Sequence, residues 1–518
     1  MAHYDLQRLI HYFNIELPVE QVGMMSFYMA EKINQLKMDS RLIKPNDIFI
    51  ALPGYTVDGK EFIPQAIAAG AIAVLIETDD KQQDKKIGFY TQQNKYTPLI
   101  YIYQLSKYLS ALADDFYDHP SEKLRVVGVT GTNGKTTISQ LIAQWVELLG
   151  EKTAVLGTLG NGVYNHLTPS ANTTPSPVEI QAYLADFYQN DVKLVAMEIS
   201  SHGLVLDRVK AITFAATVFT NISRDHLDFH QTMKNYQQAK WSLFSPNAEE
   251  SAVKSPGKRI INYDDVVGQQ WISVLNDVVV VSSKPENLSI IKTFGKAYIG
   301  VSKVSYHDKG ITIELESSYG KAQLSSALFG AFNVSNLLLA FATLLTLNYP
   351  FVELVDTAAR LVPVSGRMEI FTAVHKPTVI VDYAHTPDAL DKALSATKEH
   401  CHGKLWVIFG CGGDRDKGKR ALMAQVAEQY TNNIIVTNDN PRTEDQDEIV
   451  ADILKGFTKL MTWQIIKDRT QAIAYAITQS QEKDIILVAG KGHEDYQIIG
   501  KQKYHYSDRE TVCRLLGI

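Results

Sequence analysis

The ten residues Gly128 to Thr137, "GVTGTNGKTT", hold three glycines, a lysine and a closing pair of threonines. Just before them, "LRVVGVT" is apolar and rich in β-branched residues, as a buried strand is. Beyond them, Ile138, Leu141, Ile142, Trp145, Val146 and Leu149 recur at helical spacing, and Gly150 supplies a stop. Strand, glycine loop and helix in that order form a P-loop, in which backbone N–H groups and a helix N-terminus surround a phosphate. The residues offered to ATP are therefore Gly131, Thr132, Asn133, Gly134, Lys135, Thr136 and Thr137. Lys135 is placed to reach the β- and γ-phosphates, and Thr136 to hold Mg²⁺. The spacing departs from the strict GxxxxGK[ST] pattern, because Val129 stands where the first glycine belongs.

The rest of the chain sets bounds. A length of 518 residues predicts several domains. A net charge of −6 gives no basic footprint, so nucleic acid is not an expected partner. Cys401, Cys411 and Cys513 are too few for a disulfide framework and fit a reducing compartment. No CxxC pair supports a metal cluster among His400, Cys401, His402 and Cys411. The opening "MAHYDLQRLIHYF" lacks the apolar core of a signal peptide, and "NLLLAFATLLTL" is too short to span a bilayer. A cytoplasmic enzyme without membrane insertion is expected.

Two further segments continue the P-loop sheet. "VKLVAMEISSHG" reads as a strand ending in Glu198. "FAATVFTNISRDHLDFH" reads as another, followed by Asp225, His226, Asp228 and His230. Ligands gather at the C-terminal ends of parallel strands, so Glu198 is placed to act as a metal carboxylate near the loop. The loop alone permits a GTPase, a transporter ATPase, a kinase or a ligase.

Other motifs narrow that choice. "GTNGKTT", "NTTP", "MEISSHGL", "TNISRDHLDFH", "AKWSLF", "FGAFNVSN", "SGRMEIF", "VDYAHTPDAL", "GCGGDRDKGKR", "DNPR" and "AGKGHEDYQ" follow one another along the chain. Together they resemble the Mur ligase family over nearly the whole length. Within it, they are most similar to the members that add the third residue of the peptidoglycan stem peptide. Single motifs are shared with folylpolyglutamate and cyanophycin synthetases.

The resemblance implies an α/β chain of three domains. Residues 1–103 would form a small α/β domain for the uridine end of UDP-MurNAc. Residues 104–362 would form a P-loop ATPase domain with a parallel sheet and antiparallel additions. Residues 363–518 would form a doubly wound, Rossmann-like ligase domain for the amino acid. The bare pattern agrees: "DIFIAL", "EFIPQAIAAG" and "AIAVLIE" alternate strand, helix and strand. "ITIELESSYGKAQLSSALFG" reads as a hairpin turning at Tyr-Gly. "TVIVDYAH", "KLWVIFGCGG", "NNIIVTNDNPR" and "DIILVAGKGHE" are apolar strands ending in polar loops.

The resemblance also implies an activity: ATP-dependent, ADP-forming addition of an amino acid to the D-Glu carboxylate of UDP-MurNAc-L-Ala-D-Glu through an acyl phosphate. Met38, Ser40, Tyr55, Thr56, Val57, Asn172, Thr173, Thr174, Ser200 and Arg208 would contact that substrate. Leu206 stands where some members carry glutamine. Glu198 and His226 would join Thr136 around Mg²⁺, and Lys240 would be carbamylated by CO₂ to hold a second ion. Asn333 would contact adenine, while Arg367 and Asp382 would contact phosphate and ribose. In "DNPR", Asp439, Asn440, Pro441 and Arg442, with Arg415, Gly490 and Glu494, would bind meso-diaminopimelate. An arginine can pair bidentately with the extra carboxylate that distinguishes diaminopimelate from lysine. A lysine-adding member, another amide ligase of this type and a non-ligase P-loop ATPase stay open, and a monomer is expected.

Overall fold

The computed structural model describes residues 4–54, 57–92, 95–170, 172–307, 310–459 and 463–518. Tyr55 and Thr56 lie outside them. The chain divides into two compact units, Met1–Ser139 with Gly150–Ile260, and Gln140–Leu149 with Ile261–Ile518. Among the described residues no helix is long and apolar enough to cross a membrane.

The first unit begins with β1 (Leu36–Lys37), β2 (Ile48–Ala51), β3 (Ala73–Thr78), β4 (Ile87–Gln92) and β5 (Lys95–Tyr103). They form one sheet in the order β1-β2-β3-β5-β4, parallel except for the β4–β5 pair. Leu6, Leu9, Ile48, Ile50, Leu75 and Ile100 bury together on one side of it.

The P-loop sheet of the same unit contains β6 (Arg125–Thr130), β7 (Thr153–Gly157), β8 (Gly160–Val163), β9 (Leu194–Glu198) and β10 (Ala216–Phe219). β6 runs parallel to both neighbours, β9 and β10. β7 follows β9 in parallel, and β8 turns back antiparallel on β7. Parallel pairing brings the C-terminal ends of β6, β9 and β10 to one edge. That edge therefore collects Gly131, Glu198 and Thr220 without any long-range sequence signal.

β11 (Lys258–Asn262) runs across the chain boundary between the units. The second unit then supplies β12 (Val278–Val281), β13 (Tyr298–His307), β14 (Gly310–Ser317) and β15 (Gly320–Ser326). β13, β14 and β15 are consecutive antiparallel strands, and β14 turns into β15 at Ser318-Tyr319.

The last sheet holds β16 (Glu369–Phe371), β17 (Thr378–Asp382), β18 (Leu405–Phe409), β19 (Asn433–Val436), β20 (Trp463–Ile465) and β21 (Ile485–Ala489). Its order is β16-β17-β21-β18-β19-β20, with only β16 antiparallel. Successive residues enter opposite cores: Leu405, Val407 and Phe409 on one face, Trp406 and Ile408 on the other. Both faces are covered, which explains why these strands read as continuous apolar runs rather than alternating ones. A two-stranded hairpin, β22 (Tyr496–Ile499) and β23 (Gln502–His505), follows β21.

Candidate active site

In the first unit, Gly131 leaves β6 with φ +153°, and a Cβ there would lie 1.8 Å from Thr220 Oγ1. Only glycine lets the loop pass that close to the end of β10. Asn221 then fixes the loop: its carbonyl oxygen accepts from Thr132 N–H at 2.8 Å, and its Oδ1 from Asn133 N–H at 3.0 Å. Lys135 opens the helix Lys135–Leu148, and its Nζ donates to Gly131 O at 2.8 Å and Thr132 O at 2.9 Å. The ammonium thus sits over the loop whose N–H groups form the anion cradle.

Glu198, wholly buried at the end of β9, accepts from Thr136 Oγ1 at 2.8 Å. Thr158 orients the same carboxylate, donating from N–H at 2.8 Å and from Oγ1 at 3.0 Å. The structure brings together Thr136 and Glu198, both named from the sequence, and adds Thr158, which follows β7 and which the sequence did not single out. Thr158 Oγ1 also lies 3.1 Å from Thr173 Oγ1. Thr174 donates to Glu198 O at 2.8 Å, accepts from Ser200 N–H at 2.9 Å, and offers its carbonyl to Arg208 Nη1 at 2.6 Å. Thr173, Thr174, Ser200 and Arg208 therefore do meet beside the carboxylate. Asn172 is exposed next to them, and Leu206 is 40% exposed.

Lys240 is the least expected member by local pattern, since its helix Met233–Trp241 is mostly polar. Yet its side chain is buried, at 1% exposure, with Nζ 2.9 Å from Gly131 O and 3.5 Å from Thr130 Oγ1. The ammonium lies 4.7 Å from the centre of the Tyr236 ring. Among the described residues no carboxylate lies within ion-pair distance of it. Burial pushes its pKa well below the usual lysine value, and the nearby charge of Lys135 adds to that.

His226 is half-exposed, in the left-handed region at φ 53°, with Nε2 3.4 Å from Asp225 Oδ2. Its ring meets those of His202 and Tyr236 edge-on at 5.1 and 6.0 Å. His230 instead turns inward and binds Ser201 Oγ at 2.9 Å. Among the described residues no three His, Cys, Asp or Glu side chains gather as a metal cluster. In the β1–β5 part of the unit, Met38 and Val57 are exposed, while Ser40 is buried and bonds Gln65 Oε1 at 3.1 Å.

In the second unit Asp382, Arg415, Asp439 to Arg442, Gly490 and Glu494 lie at or just after the C-terminal ends of β17, β18, β19 and β21, whereas Arg367 precedes β16 and Asn333 sits in the helix Ala331–Thr346. Asp382, closing β17, accepts from Met368 N–H at 2.8 Å and Ala384 N–H at 2.9 Å. Arg367 stacks over the Tyr383 ring at 4.5 Å, and its buried Nε has no hydrogen-bond partner among the described residues. Beside it, Gly366 adopts φ +66°, and a Cβ there would fall 2.0 Å from His493 N. Asn333 is buried, with its amide committed to Phe329 O at 2.8 Å and to Asn336 Nδ2 at 3.0 Å.

Arg442, after β19, is also left-handed, at φ 53°. Its backbone is clamped by the hairpin: N–H donates to Ile498 O at 3.1 Å, and its carbonyl accepts from Gly500 N–H at 2.7 Å. Nη1 donates to Gly413 O at 2.9 Å. Among the described residues no carboxylate pairs with this guanidinium. Asn440 joins Glu494 through Nδ2 at 3.0 Å, Gly490 N–H donates to Asp382 O at 3.0 Å, and Arg415 is exposed at the rim. Glu444 locks the turn to the loop after β18, accepting from both Arg420 Nη groups at 2.8 and 2.7 Å and from Asp414 N–H at 3.0 Å. Burial pushes the pKa of Glu494 up, opposed by Lys491, which the sequence reading did not single out.

Family sequence models match the chain in series: "Mur ligase family, catalytic domain" over 32–117, "Mur ligase middle domain" over 129–344 and "Mur ligase, glutamate ligase domain" over 366–492. A solved UDP-N-acetylmuramoyl-L-alanyl-D-glutamate–2,6-diaminopimelate ligase is 32% identical, spanning 100% of this chain and 99% of its own, with a TM-score of 0.66. MurF from Acinetobacter baumannii shares the fold at 15% identity, with 100% of both chains covered and a TM-score of 0.65. Mycobacterium tuberculosis folylpolyglutamate synthase complexed with ADP does so at 16% identity, over 74% of this chain and 92% of its own, with a TM-score of 0.54. Sequence series, three-domain α/β fold and phosphate loop agree: the chain belongs to the Mur ligase family, whose members are ATP-dependent, ADP-forming amide ligases.

Proposed function

We propose that this ligase joins meso-2,6-diaminopimelate to the D-Glu carboxylate of UDP-MurNAc-L-Ala-D-Glu, in the assembly of a peptidoglycan precursor. Arg442 carries the choice of amino acid. Its backbone is held in an unusual conformation, and among the described residues no carboxylate pairs with its guanidinium. A substrate bearing a second, distal carboxylate supplies the missing partner. Asp439 and Glu494 are then the acceptors for the distal ammonium, with Asn440, Pro441, Gly490 and Arg415 shaping the pocket.

A carboxylate and an amine do not condense unaided in water. On this reading the D-Glu carboxylate oxygen attacks the γ-phosphorus of ATP and ADP leaves. The resulting acyl phosphate is attacked by the neutral amine. The tetrahedral intermediate then collapses to the amide and releases phosphate, and the amine proton passes to solvent. Lys135 and the loop N–H groups hold the phosphates and offset the charge that develops during transfer. Arg367, Asp382 and Asn333 are assigned to the nucleotide. Met38, Ser40, Val57, Thr173, Thr174, Ser200 and Arg208 are assigned to the UDP-MurNAc-dipeptide.

The paired oxygens of Thr136 and Glu198 are hard donors of the kind Mg²⁺ takes. We assign one Mg²⁺ to these two residues with His226 and a second to a carbamylated Lys240; when bound, the ions would add positive charge at the phosphate oxygens. The buried Lys240 amine suits carbamylation, because a lowered pKa raises the share of the neutral form that reacts with CO₂. Domain limits near residues 103 and 362, and work as a cytoplasmic monomer, belong to the same reading.

The test is a coupled phosphate-release assay with UDP-MurNAc-L-Ala-D-Glu and each candidate amino acid in turn. Release with meso-diaminopimelate well above that with L-lysine or L-glutamate is expected. Release that needs no amine would instead favour a plain ATPase, and a preference for lysine would favour a lysine-adding ligase.

A further inference from the structure

Lys491 is completely buried in the loop after β21. Its Nζ donates to Asn440 Oδ1 at 2.9 Å and to Tyr496 O at 2.8 Å. It also lies 3.6 Å from Asp439 Oδ1 and 3.5 Å from Glu494 Oε2. Asn440 Oδ1 takes a second bond from Ile498 N–H at 3.0 Å, so its Nδ2 is left to face Glu494. The lysine therefore sets both the orientation of an amide and the charge around two carboxylates.

Glu494 is faced by Lys491, Asp439 and Asn440, by the Tyr496 hydroxyl at 3.3 Å, and at longer range by Tyr383. Arg415 is exposed to water at the rim and Arg469 is paired with Asp508; inside the rim, Lys491 and Arg442 bring two positive charges and Asp439 and Glu494 two negative ones. The four cancel. An amino acid whose far end carries both an ammonium and a carboxylate also cancels, so every charge finds a partner. Without Lys491 the same pocket is net negative and matches a far end that is only an ammonium.

We propose that Lys491 is a positioning residue that determines specificity: by offsetting one of the two carboxylates it tunes the pocket to a distal ammonium–carboxylate pair and against a lone ammonium. This rests on the reading of the Asp439–Arg442 turn as the amino-acid site.

The experiment compares wild type with Lys491→Met and Lys491→Arg, using phosphate release with meso-diaminopimelate and with L-lysine across pH 6–9. In Lys491→Met the ratio of kcat/KM for diaminopimelate to that for lysine should fall about tenfold or more, and Lys491→Arg should restore most of it. The acid limb for diaminopimelate should also move up by about one pH unit in Lys491→Met, because two adjacent carboxylates then hold a proton more tightly. If Lys491→Met does not fold, as judged by thermal unfolding, Lys491→Gln replaces it with the same expectations. An unchanged ratio, or an arginine variant no better than the neutral one, would overturn the proposal. The wild-type ratio separately tests the amino-acid assignment. A wild type that prefers lysine rejects that assignment, while the change of ratio between variants still decides the role of Lys491.

Discussion

Lys240, from a helix more than a hundred residues downstream, donates to the carbonyl of Gly131 at 2.9 Å, inside the loop that Lys135 also caps. Two lysines thus share one carbonyl oxygen, and among the described residues no carboxylate lies within ion-pair range of Lys240. A carbamate on Lys240 would turn this crowding of like charge into attraction. Lys240→Ala should therefore lose most activity, and a small carboxylate such as acetate should restore part of it. Full turnover by the variant without additive would remove the carbamate role.

Lys135→Ala should abolish phosphate release while leaving thermal unfolding close to wild type, because the half-buried lysine bonds two carbonyls of its own loop rather than packing in an apolar core. Loss of one positioned charge at the transferring phosphate costs on the order of 3 kcal/mol or more of transition-state stabilisation. Near-normal release by a folded variant would reject the phosphate-loop assignment.

Arg442→Ala should act oppositely on two amino acids. For diaminopimelate, kcat/KM should fall by on the order of 2–5 kcal/mol as a charge pair is broken. For lysine it should change little or rise, because no guanidinium is left unpaired. General damage to the turn would lower both, so the ratio of the two specificity constants is the measurement. A ratio equal to that of wild type would reject Arg442 as the selector.

His493 gives a pH dependence. Burial, reinforced by Arg367 and Arg509, pushes its pKa down to about 4 from the ordinary 6.5. A histidine that takes up protons more readily unfolded than folded stabilises the native state above about pH 6.5, and that stability is lost as pH falls toward 4. The loss should be roughly 3 kcal/mol. Urea unfolding at stepped pH should show a shallower acid decline for His493→Gln than for wild type. Parallel curves would contradict this.

The phosphate loop was legible because its signals are local: an apolar run, glycines and a lysine followed by helical spacing. Glu198 was legible because parallel strands end together, so position in a strand implies position in space. Thr158 was not, since nothing in "GTLGNG" says that its N–H will meet a carboxylate forty residues away. Lys240 came from resemblance alone; its own helix reads as a polar surface helix, and burial is imposed by the loop above it. The pocket proposed for the amino acid was half legible. "DNPR" marked the arginine, but the hairpin that clamps it lies more than fifty residues on, and Lys491 was an unremarked letter in "AGKGHEDYQ". Asn333, matched to a nucleotide contact, donates its amide to Phe329 O just ahead of its helix and accepts from Asn336 within it.

The close approach of Gly366 to His493 bears on modularity. Someone grafting the last domain of one relative onto another, to change which amino acid is added, would naturally cut the chain in "VPVSGRM". The peptide at Gly366 leaves no clearance for a side chain against the Gly492–His493 backbone. Two parents whose loops differ by a fraction of an ångström would collide there. The crossover therefore belongs before Val364, so that Gly366, Arg367 and the loop bearing Lys491 and Glu494 are inherited from the same parent.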